Sequence, residues 1–524
     1  MAKAGMPFML AKVLRPVLLG LFCAAVYSTL LLAFDLAVHT TLPLQPYLRA
    51  VEPYRLLLVF GLTVGLIASA GALHRSLQKG PGQRLAASLT RAPDRWWLAG
   101  CLLIGAVARI GWYLLFPAPQ TNDGAAYLEL AVKLAHGEDY FIPGQIGGYA
   151  FWPPGLPFFL LPSIKLLGSP LWLPLLNNLC LMAVSIFACY WLGLRLLNRP
   201  AARLAVLLLA VWPACISSSG LAQKELLLVA ILPLALLCYL RAQDGRPLHA
   251  GTGFSFVAGI LLGLGVLTQP SSGLFPIVCA ALEYFRGMRW RGAVLRLFFL
   301  ALGSILVVAP WTVRNASIFH AFVPVSTNGG FTLYVGNHAK ALGNLADHGG
   351  SITPDWLLDW RAYNDLERNR AYMAKAKQWV VDHPLQFAEL TARRFVLIMG
   401  DDSDGVYRTL KLGLERNDLS YVLIKALVNC SWLALLLLTL PLFFARGQAD
   451  RYALATPILG LTILYFVFLH SFAEGGSRHH LGTIWCYLLF AAAALTPAQP
   501  GQRGREGSTS DESSATPQRE PLPV

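Results

Sequence analysis

Twelve apolar runs, most of them about 20 residues long, divide this chain of 524 residues and decide what it can fold into. An α-helix needs about 20 apolar residues to cross a bilayer. The runs therefore predict an α-helical polytopic membrane protein with about twelve transmembrane helices. They lie at 14–37, 55–74, 96–117, 172–194, 202–218, 224–241, 252–268, 271–285, 293–311, 419–443, 452–471 and 480–496.

The composition excludes the other broad classes. Hydrophobic residues make up 56% of the chain and charged residues 13%, whereas average soluble chains carry about 25% charged residues. The net charge of +14 sits in short loops between apolar runs, so we attribute it to membrane topology and expect no nucleic-acid partner. All nine cysteines lie inside apolar runs, so neither a disulfide framework nor a metal–thiolate site is predicted.

Arginine and lysine cluster in every second loop, as the positive-inside rule requires. The basic loops lie near 75–95, 195–203, 241–246, 286–296 and 446–451, which predicts that both termini are cytoplasmic. The apolar stretch 154–168 is short, and counting it as a span would move every later basic loop to the outside. We therefore predict an interfacial or re-entrant helix there, on the outer side.

These boundaries predict five divisions of the chain, including a small mixed domain on the outer face. FTLYVG at 331–336 alternates like a short strand, and Asp382 followed by His383 and Pro384 is typical of a capped helix start. The divisions are two extra N-terminal spans with a basic loop (1–95), a transmembrane core with a first outer loop at 118–153 (96–311), a periplasmic domain (312–418), C-terminal spans (419–496) and a disordered cytoplasmic tail (497–524).

The first outer loop contains a candidate general base, Asp123. Apolar residues from Tyr127 to Leu134 recur at helical spacing, which predicts an amphipathic helix that begins near this carboxylate. A carboxylate beside the membrane surface can deprotonate an acceptor hydroxyl. The alternative is that Asp123 or Asn122 caps the helix.

Several cations gather at the same membrane face. Lys224 opens the sixth apolar run and can hold a phosphate as a point charge. The alternatives are an ion pair with Glu225 or snorkelling of the lysine at the helix end. Arg314 leaves the membrane on the outer side, against the positive-inside trend. Arg478 and His479 precede the last run and can clamp a phosphate. A zinc site on the adjacent histidines is weakly indicated.

Aromatic, turn and acidic residues complete the set of candidates. Tyr149 and Trp152 suit the headgroup belt, or alternatively line a sugar or lipid site. Asn328 begins a turn. The acids of 401–404 can bind a divalent ion, but a solvated turn is the favoured interpretation. A base, cations and aromatics on one face suit transfer from a lipid phosphate, because the leaving phosphate needs preorganised positive charge.

Several of these stretches resemble a known family in their order and spacing. The chain resembles the bacterial polytopic glycosyltransferases related to protein mannosyltransferases and to the aminoarabinose transferase of lipid A, which share the GT-C fold (glycosyltransferase family 39). The resemblance covers roughly residues 96–496. Its motifs are NDGAAYLELA, FWPPGLPFFL, LAQKELLLVAILPLALLCYL, LTQPSSGLFP, APWTVRNASIFHAFVPVSTNGGFTLYVGN, RNRAYMAKAKQWVVDHPLQFAELTARRF and AEGGSRHHLGTIW.

The resemblance implies a sugar transferase of the bacterial inner membrane that uses a polyprenyl-phosphate donor on the outer face. The acceptor is a lipid, a glycan or a protein, no cofactor is indicated, and a divalent metal stays an open alternative. Asp123 matches the catalytic aspartate of the family. The donor phosphate is then assigned to Lys224, Arg314, Arg478 and His479, and the substrate to Tyr127, Tyr149, Trp152, Glu225, Asn328 and Asn337.

The chain departs from the family pattern at three positions. Gly124 stands where many relatives carry a second acid, which weakens a metal role for this loop. Gln269 replaces a frequent arginine, and His479 replaces the tyrosine that usually follows the arginine of the closing turn.

A transporter or lipid flippase is the alternative function. Transporters bind their substrate near the bilayer midplane, at broken and repeated helices. Asp35, Arg109 and Lys425 are the main charges within the apolar runs, and they form no repeated pairs. An outer cavity that holds Asp123 with Arg478 would favour the enzyme, and a two-sided site around Arg109 would favour transport.

Overall fold

A computed structural model describes residues 6–38, 49–144, 146–243, 248–285, 290–342, 358–359, 361–444 and 454–496. The predicted tail and the basic-loop positions 244–247, 286–289 and 445–453 lie outside these residues. The described chain is helical, with one isolated antiparallel bridge between Ile142 and Gly148.

The structure consists mainly of helices along the described chain. In chain order they are α1 (Met6–Val38), α2 (Arg55–Lys79), α3 (Pro81–Thr90), α4 (Asp94–Leu115), α5 (Asn122–His136), α6 (Gly155–Leu167), α7 (Leu173–Leu196), α8 (Arg199–Ala210), α9 (Pro213–Ser217), α10 (Lys224–Arg241), α11 (Leu248–Thr268), α12 (Phe275–Phe285), α13 (Trp290–Phe319), α14 (Gly329–Gly336), α15 (Asp365–Asp382), α16 (Pro384–Gly400), α17 (Leu419–Thr439), α18 (Ala455–Ala473) and α19 (Ile484–Leu495).

The chain is a multi-pass membrane protein, as predicted. Nine of the helical stretches in the described residues are long and apolar enough to cross a bilayer, and each coincides with a predicted run. Nine of the twelve predicted runs thus meet these criteria within the described residues. Among the other three runs, α10 has 18 residues and is charged at both ends, α12 has 11 residues and α19 has 12.

The helices that expose apolar side chains differ from those that form the centre of the bundle. Large apolar residues such as Leu103 and Leu114 on α4, and Phe298 and Ile305 on α13, are exposed, as expected for surfaces that face lipid. Residues 484–494 of α19 are buried along the whole helix. A helix that is apolar all round and buried belongs to the core of the bundle.

The short helix α6 agrees with the interfacial or re-entrant interpretation of 154–168. It has 13 residues, with Pro154 at its N-cap and Pro157 in its first turn, where the missing proline N–H leaves no bond unmade. Gly155 lies against the backbone of Thr268, where an added Cβ would come within 2.5 Å of the amide nitrogen. A larger residue at this position would push α6 away from α11.

The predicted strand at 331–336 is wrong, because these residues belong to helix α14. Gly330 lets α14 approach α15, since its amide donates to Asn369 Oδ1 at 2.6 Å and an added Cβ would clash with the Asn369 carbonyl. Tertiary packing thus overrides a local alternating pattern. Helix α16 does begin at Pro384 as predicted, but His383 occupies the N-cap and Asp382 ends the preceding helix.

Arg394 of α16 joins the outer helices to the end of α18. Its side chain is fully buried, and its Nη1 donates to the carbonyls of Phe472 at 2.7 Å and Ala473 at 3.1 Å. Its Nη2 donates to Asn337 Oδ1 at 2.8 Å. Charged donors are strong hydrogen-bond partners for carbonyls left free at a helix end. This contact fixes the point where the chain leaves α18.

Replacing Arg394 by methionine should destabilise the protein by roughly 3 kcal/mol or more, because three buried acceptors lose their donor together. Thermal unfolding of the purified protein in detergent measures this loss. Arg393→Met is the matched control. The Arg393 side chain is next to Arg394 in sequence, but it is 53% exposed and pairs with Glu389 on the surface. Equal melting temperatures for the two variants would contradict the structural role of Arg394.

Candidate active site

A pocket with about 310 Å³ of empty space lies where four parts of the chain meet. They are the beginnings of α5 and α10, a π-helical segment Tyr407–Gly413, and the turn that follows α18. Its lining is strongly charged. The lining residues are Gln120, Thr121, Asp123, Gly124, Tyr127, Leu221, Ala222, Gln223, Lys224, Glu225, Arg408 and Arg478.

Local structure at the start of α5 holds Asp123 in place. The preceding Asn122 has φ 49°, a left-handed conformation that asparagine tolerates better than most residues. Thr121 is the N-cap, without a side-chain capping bond, so the structure does not show the alternative in which Asn122 or Asp123 caps the helix. Gln120 ties this turn to α10, because its Oε1 accepts from the Ala222 amide at 2.7 Å.

Asp123 and Arg478 form an ion pair across the pocket, although 355 positions separate them in sequence. Arg478 Nη1 lies 2.5 Å from Asp123 Oδ2, and its Nε lies 3.7 Å from Glu225 Oε1. The Arg478 and Asp123 side chains are 13% and 20% exposed. Two of the predicted outer-face motifs therefore meet in one site.

The pocket charges shift the pKa of both partners. Burial alone would raise the pKa of Asp123, but the positive charges of Arg478, Arg408 and Lys224, with the Arg478 hydrogen bond, outweigh burial and hold the pKa at about 2. Burial would lower the pKa of Arg478, but Asp123 and Glu225 raise it well above its usual value. Both groups are ionised at neutral pH.

Lys224 and Glu225 begin α10 and line the pocket side by side. The predicted alternative of an ion pair between them is wrong for the described structure, where Glu225 faces Arg478 instead. Within the described residues, the Lys224 ammonium makes no hydrogen bond or ion pair. An unpaired cation beside a charged pocket is well placed to bind an anion.

Arg408 is a functional candidate that the sequence analysis missed. It lies on the π-helical segment. Such segments are rare in proteins, and many of those known occur at functional sites. Asp404 orients it, because Arg408 Nε donates to Asp404 Oδ2 at 2.8 Å and Gln223 Nε2 donates to the same oxygen at 2.9 Å. The spacing of four residues between Asp404 and Arg408 was the available signal.

The acids of 401–404 do not form the solvated turn that we expected. Asp402 is buried and accepts from Trp212 Nε1 at 2.8 Å, and its Oδ1 lies 2.9 Å from His480 Nε2. Asp401 pairs with Lys425 at 3.3 Å. The described residues contain no group of three or more histidine, cysteine, aspartate or glutamate side chains arranged to hold a metal ion. The acids instead orient helices and cations around the pocket.

His479 and His480 point in different directions. His480 is bonded on both ring nitrogens, to Asp402 and to the Ile398 carbonyl at 2.6 Å. The His479 ring stacks on His470 with 4.3 Å between centroids, and neither of its nitrogens has a hydrogen-bond partner in the described chain. Burial, with the charges of its neighbours, lowers the pKa of His479 well below its usual value. His479 is therefore neutral beside Arg478.

The predicted aromatic residues divide into two groups. Tyr127 lines the pocket, is buried, and packs edge-to-face on Trp152 with centroids 5.5 Å apart. Burial, with the negative charges of Asp123 and Glu225, raises the pKa of Tyr127 well above its usual value. Tyr149 lies farther out, 36% exposed and packed on Phe141.

Three other predicted site residues do not line this pocket. Arg314 donates to the carbonyls of Tyr149 at 2.5 Å and Tyr140 at 3.2 Å and lies over the Trp311 ring. Asn328 is the N-cap of α14 and accepts from a serine hydroxyl. Asn337 is buried, with its amide bonded to the Leu333 carbonyl and to Arg394. All three bond to other parts of the described chain, away from this pocket.

Arg109 lies at a second cavity, within the helical bundle. Asn178, Ser185 and Cys215 also line this cavity, among apolar side chains. Arg109 Nη1 donates to the carbonyls of Ala210 at 2.6 Å and Gly105 at 3.1 Å. The first of these ends α8, so the guanidinium satisfies a carbonyl at a helix terminus.

One protein family matches part of the chain. Residues 152–313 match the family described as dolichyl-phosphate-mannose-protein mannosyltransferase. The match covers less than a third of the chain and includes Lys224 and Glu225. It confirms the predicted resemblance to the protein mannosyltransferases.

Solved structures with a similar arrangement come from two kinds of enzyme. The Archaeoglobus fulgidus oligosaccharyltransferase tethered with an acceptor peptide is 14% identical over 76% of this chain and 49% of that chain, with a TM-score of 0.47. ArnT from Cupriavidus metallidurans bound to undecaprenyl phosphate is 15% identical over 77% of each chain, with a TM-score of 0.38. This chain spans about half the length of the oligosaccharyltransferase. No curated protein matches it.

The pKa of Asp123 predicts how the ion pair depends on pH. The folded value of about 2 lies below the usual 3.8, so the stabilisation is present above about pH 4 and is lost as the pH falls through about 2. Asp123→Asn should therefore be less stable than the wild type at neutral pH, by about 2 kcal/mol or more. The difference should shrink as the pH falls.

Thermal unfolding in detergent, from neutral pH down to about pH 3, measures this difference. The control is Asp139→Asn, which removes an exposed carboxylate from the same loop. A constant difference between the wild type and Asp123→Asn at every pH would contradict the ion pair as the source of the stability.

Proposed function

We propose that the protein transfers a sugar from a polyprenyl-phosphate donor to a hydroxyl of a cell-envelope acceptor. The observation that supports this most is the pocket itself, in which one carboxylate, Asp123, lies among the cations Lys224, Arg408 and Arg478. The matching family is named for a dolichyl-phosphate-mannose donor. The leaving lipid phosphate needs a cluster of cations, and the attacking hydroxyl of the acceptor needs a base.

The donor phosphate binds between the beginnings of α5 and α10. Residues at both N-termini line the pocket, and neither helix has a side-chain cap there. Helix N-termini favour anions because their first N–H groups lack intrahelical partners. Lys224 and Arg478 keep their predicted roles and Arg408 joins them. We assign His479 as a neutral neighbour of Arg478. Arg314 instead donates hydrogen bonds to carbonyls of the first outer loop.

The acceptor oxygen attacks the anomeric carbon from the side opposite the phosphate, so the configuration inverts. The bond from this carbon to the phosphate oxygen breaks, and its electron pair leaves with the polyprenyl phosphate. The acceptor proton passes to Asp123. Lys224, Arg408 and Arg478 stabilise the charge that develops on the leaving phosphate.

Donor binding also prepares the base. In the structure Arg478 bonds to Asp123 and helps to hold its pKa at about 2, which makes the carboxylate a weak base. A phosphate in the pocket competes for the same guanidinium. As Arg478 turns to the phosphate, the pKa of Asp123 rises, so the base becomes effective only when the donor is bound.

We place this site on the periplasmic face of a bacterial inner membrane. Asp94 begins α4 and pairs with Arg199 and Arg203 in the first two turns of α8, which belong to a predicted basic segment. Asp123 follows the other end of α4, which has 22 residues and is therefore about 33 Å long. The positive-inside rule assigns the basic end to the cytoplasm, so the pocket faces the opposite side.

A topology experiment tests this placement. Green fluorescent protein fused after residue 524 should fluoresce, because it folds in the cytoplasm. Alkaline phosphatase fused within 312–418 should be active, because it needs the periplasm. The control is a phosphatase fusion in the connection at 197–198, between α7 and α8, which should be inactive. The reverse pattern would place the pocket in the cytoplasm.

The chemical proposal predicts that Asp123→Asn abolishes transfer. Purified wild-type protein should release free polyprenyl phosphate from a labelled polyprenyl-phosphate sugar when cell-envelope extract supplies the acceptor. The variant should be slower by roughly 10²–10⁴-fold, because general-base catalysis contributes about that factor. Asp139→Asn, an exposed acid in the same loop, should keep the wild-type rate.

Two results would contradict the proposal. Equal release by wild type and Asp123→Asn would remove Asp123 from the chemistry. No release from any donor, by folded wild-type protein, would contradict the choice of donor class.

A further inference from the structure

Glu225 is a buried carboxylate without a hydrogen-bond donor. Its side chain is 2% exposed, and neither carboxylate oxygen accepts a hydrogen bond within the described residues. Arg478 Nε lies 3.7 Å from Oε1, which is an ion pair but too long for a hydrogen bond. The catalytic-site pocket that holds Asp123 is also lined by Glu225.

Such a carboxylate is costly in a folded protein unless something binds to it. An ionised carboxylate accepts several hydrogen bonds through its two oxygens, and a buried one that accepts none loses solvation without replacement. Buried polar groups without partners are few in native proteins, and each needs an explanation. Because Glu225 lines the substrate pocket, a ligand that donates hydrogen bonds is the simplest explanation.

The charges around Glu225 favour a neutral ligand group. Lys224, Arg408 and Arg478 line the same pocket, so a second cation brought by the ligand would be repelled by all three. An anionic group held against Glu225 itself would be repelled by that carboxylate. Hydroxyl groups donate hydrogen bonds without adding charge, and two on adjacent carbons match the two oxygens of one carboxylate.

We propose that Glu225 binds two adjacent hydroxyl groups of the sugar that is transferred. This inference rests on the proposed function and names its substrate class: uncharged sugars with free hydroxyls on neighbouring carbons, and not uronic acids. Tyr127, buried in the same pocket, supplies an aromatic surface beside the ring. Glu225 thereby selects the sugar, while Asp123 and the cations perform the transfer.

Deoxygenation of the donor tests this recognition. A site built to bond a substrate hydroxyl rejects the analogue that lacks it, because the buried partner is left unpaired. Polyprenyl-phosphate glucose, mannose and galactose are compared first, and the best of them is then made in all its monodeoxy forms. In the wild type, kcat/KM for release of polyprenyl phosphate should fall about 100-fold or more at two adjacent positions. The corresponding uronic acid should not react.

Glu225→Gln should remove most of this selectivity. An amide keeps one acceptor oxygen, so kcat/KM for the parent sugar should fall, and the ratio of parent to deoxy donor should drop to less than about tenfold. The matched control is Glu129→Gln on α5, whose side chain is 49% exposed and pairs with Lys133. It should keep the wild-type ratios.

Stability and lipid binding separate recognition from a structural role. If Glu225 serves substrate, Glu225→Gln should lower the melting temperature less than Asp123→Asn does, because Arg478 keeps its hydrogen bond to Asp123. Its affinity for polyprenyl phosphate without sugar should stay within about threefold of the wild-type affinity. A lower melting temperature together with unchanged sugar selectivity would show that Glu225 is a structural partner of Arg478 and would overturn the inference.

Three other outcomes distinguish failure of this inference from failure of the proposed function. Wild-type protein that releases polyprenyl phosphate equally well from all deoxy donors would overturn the inference and leave the proposed function standing. Preference for an amino sugar over the neutral sugars, lost in Glu225→Gln, would overturn the choice of hydroxyls. No release from any donor would overturn the proposed function and this inference together.

Discussion

The ion pair between Asp123 and Arg478 is the contact on which the site depends. It joins the first outer loop to the turn after α18, and the beginning of α10 packs between them. A buried pair of charges is stable only when other groups hold both partners in position. Much of the surrounding structure serves this purpose. Gln120 ties the start of α5 to the backbone before α10, and Arg394 fixes the end of α18.

The acids between 401 and 404 extend this support. Asp404 bonds both to Arg408 and to Gln223, the residue before Lys224, and so orients two parts of the cation cluster. Asp402 bonds to His480, two positions after Arg478, and to Trp212. A cation cluster without these anions would repel itself and expand. The acids let three cations remain close together while leaving Lys224 available.

The sequence carried enough information for the membrane helices, because span length and apolarity are local properties. The helix from Asn122 and the proline start of α16 were also predictable, since capping and amphipathic spacing are local. The strand expected at 331–336 failed because Gly330 allows α14 to pack against Asn369. Three predicted runs, among them the one that forms α12, are helices that do not meet the length and composition criteria in the described residues.

Site residues could be predicted where the residue type alone suggests a role. They could not be predicted where the role depends on contacts with residues distant in sequence. Asp123, Lys224 and Arg478 do meet in one pocket. The cation Arg314 was assigned to the phosphate, but carbonyls of the outer loop occupy its guanidinium. Arg408 was missed because its relation to Asp123 exists only in the folded chain. A single sequence contains no pattern that predicts contacts between residues so far apart in the chain.

The residues that support this pocket differ from those that line it as ligand-binding groups in whether their hydrogen bonds are made within the protein. Framework groups such as Arg394, Asp402 and Asp404 have their hydrogen bonds satisfied within the protein. Lys224 and Glu225 line the pocket without hydrogen-bond partners in the described chain. Unsatisfied polar groups lower stability, and proteins keep them where binding restores the missing bonds. A phosphate and a polyhydroxylated ring supply the two kinds of partner that these groups lack.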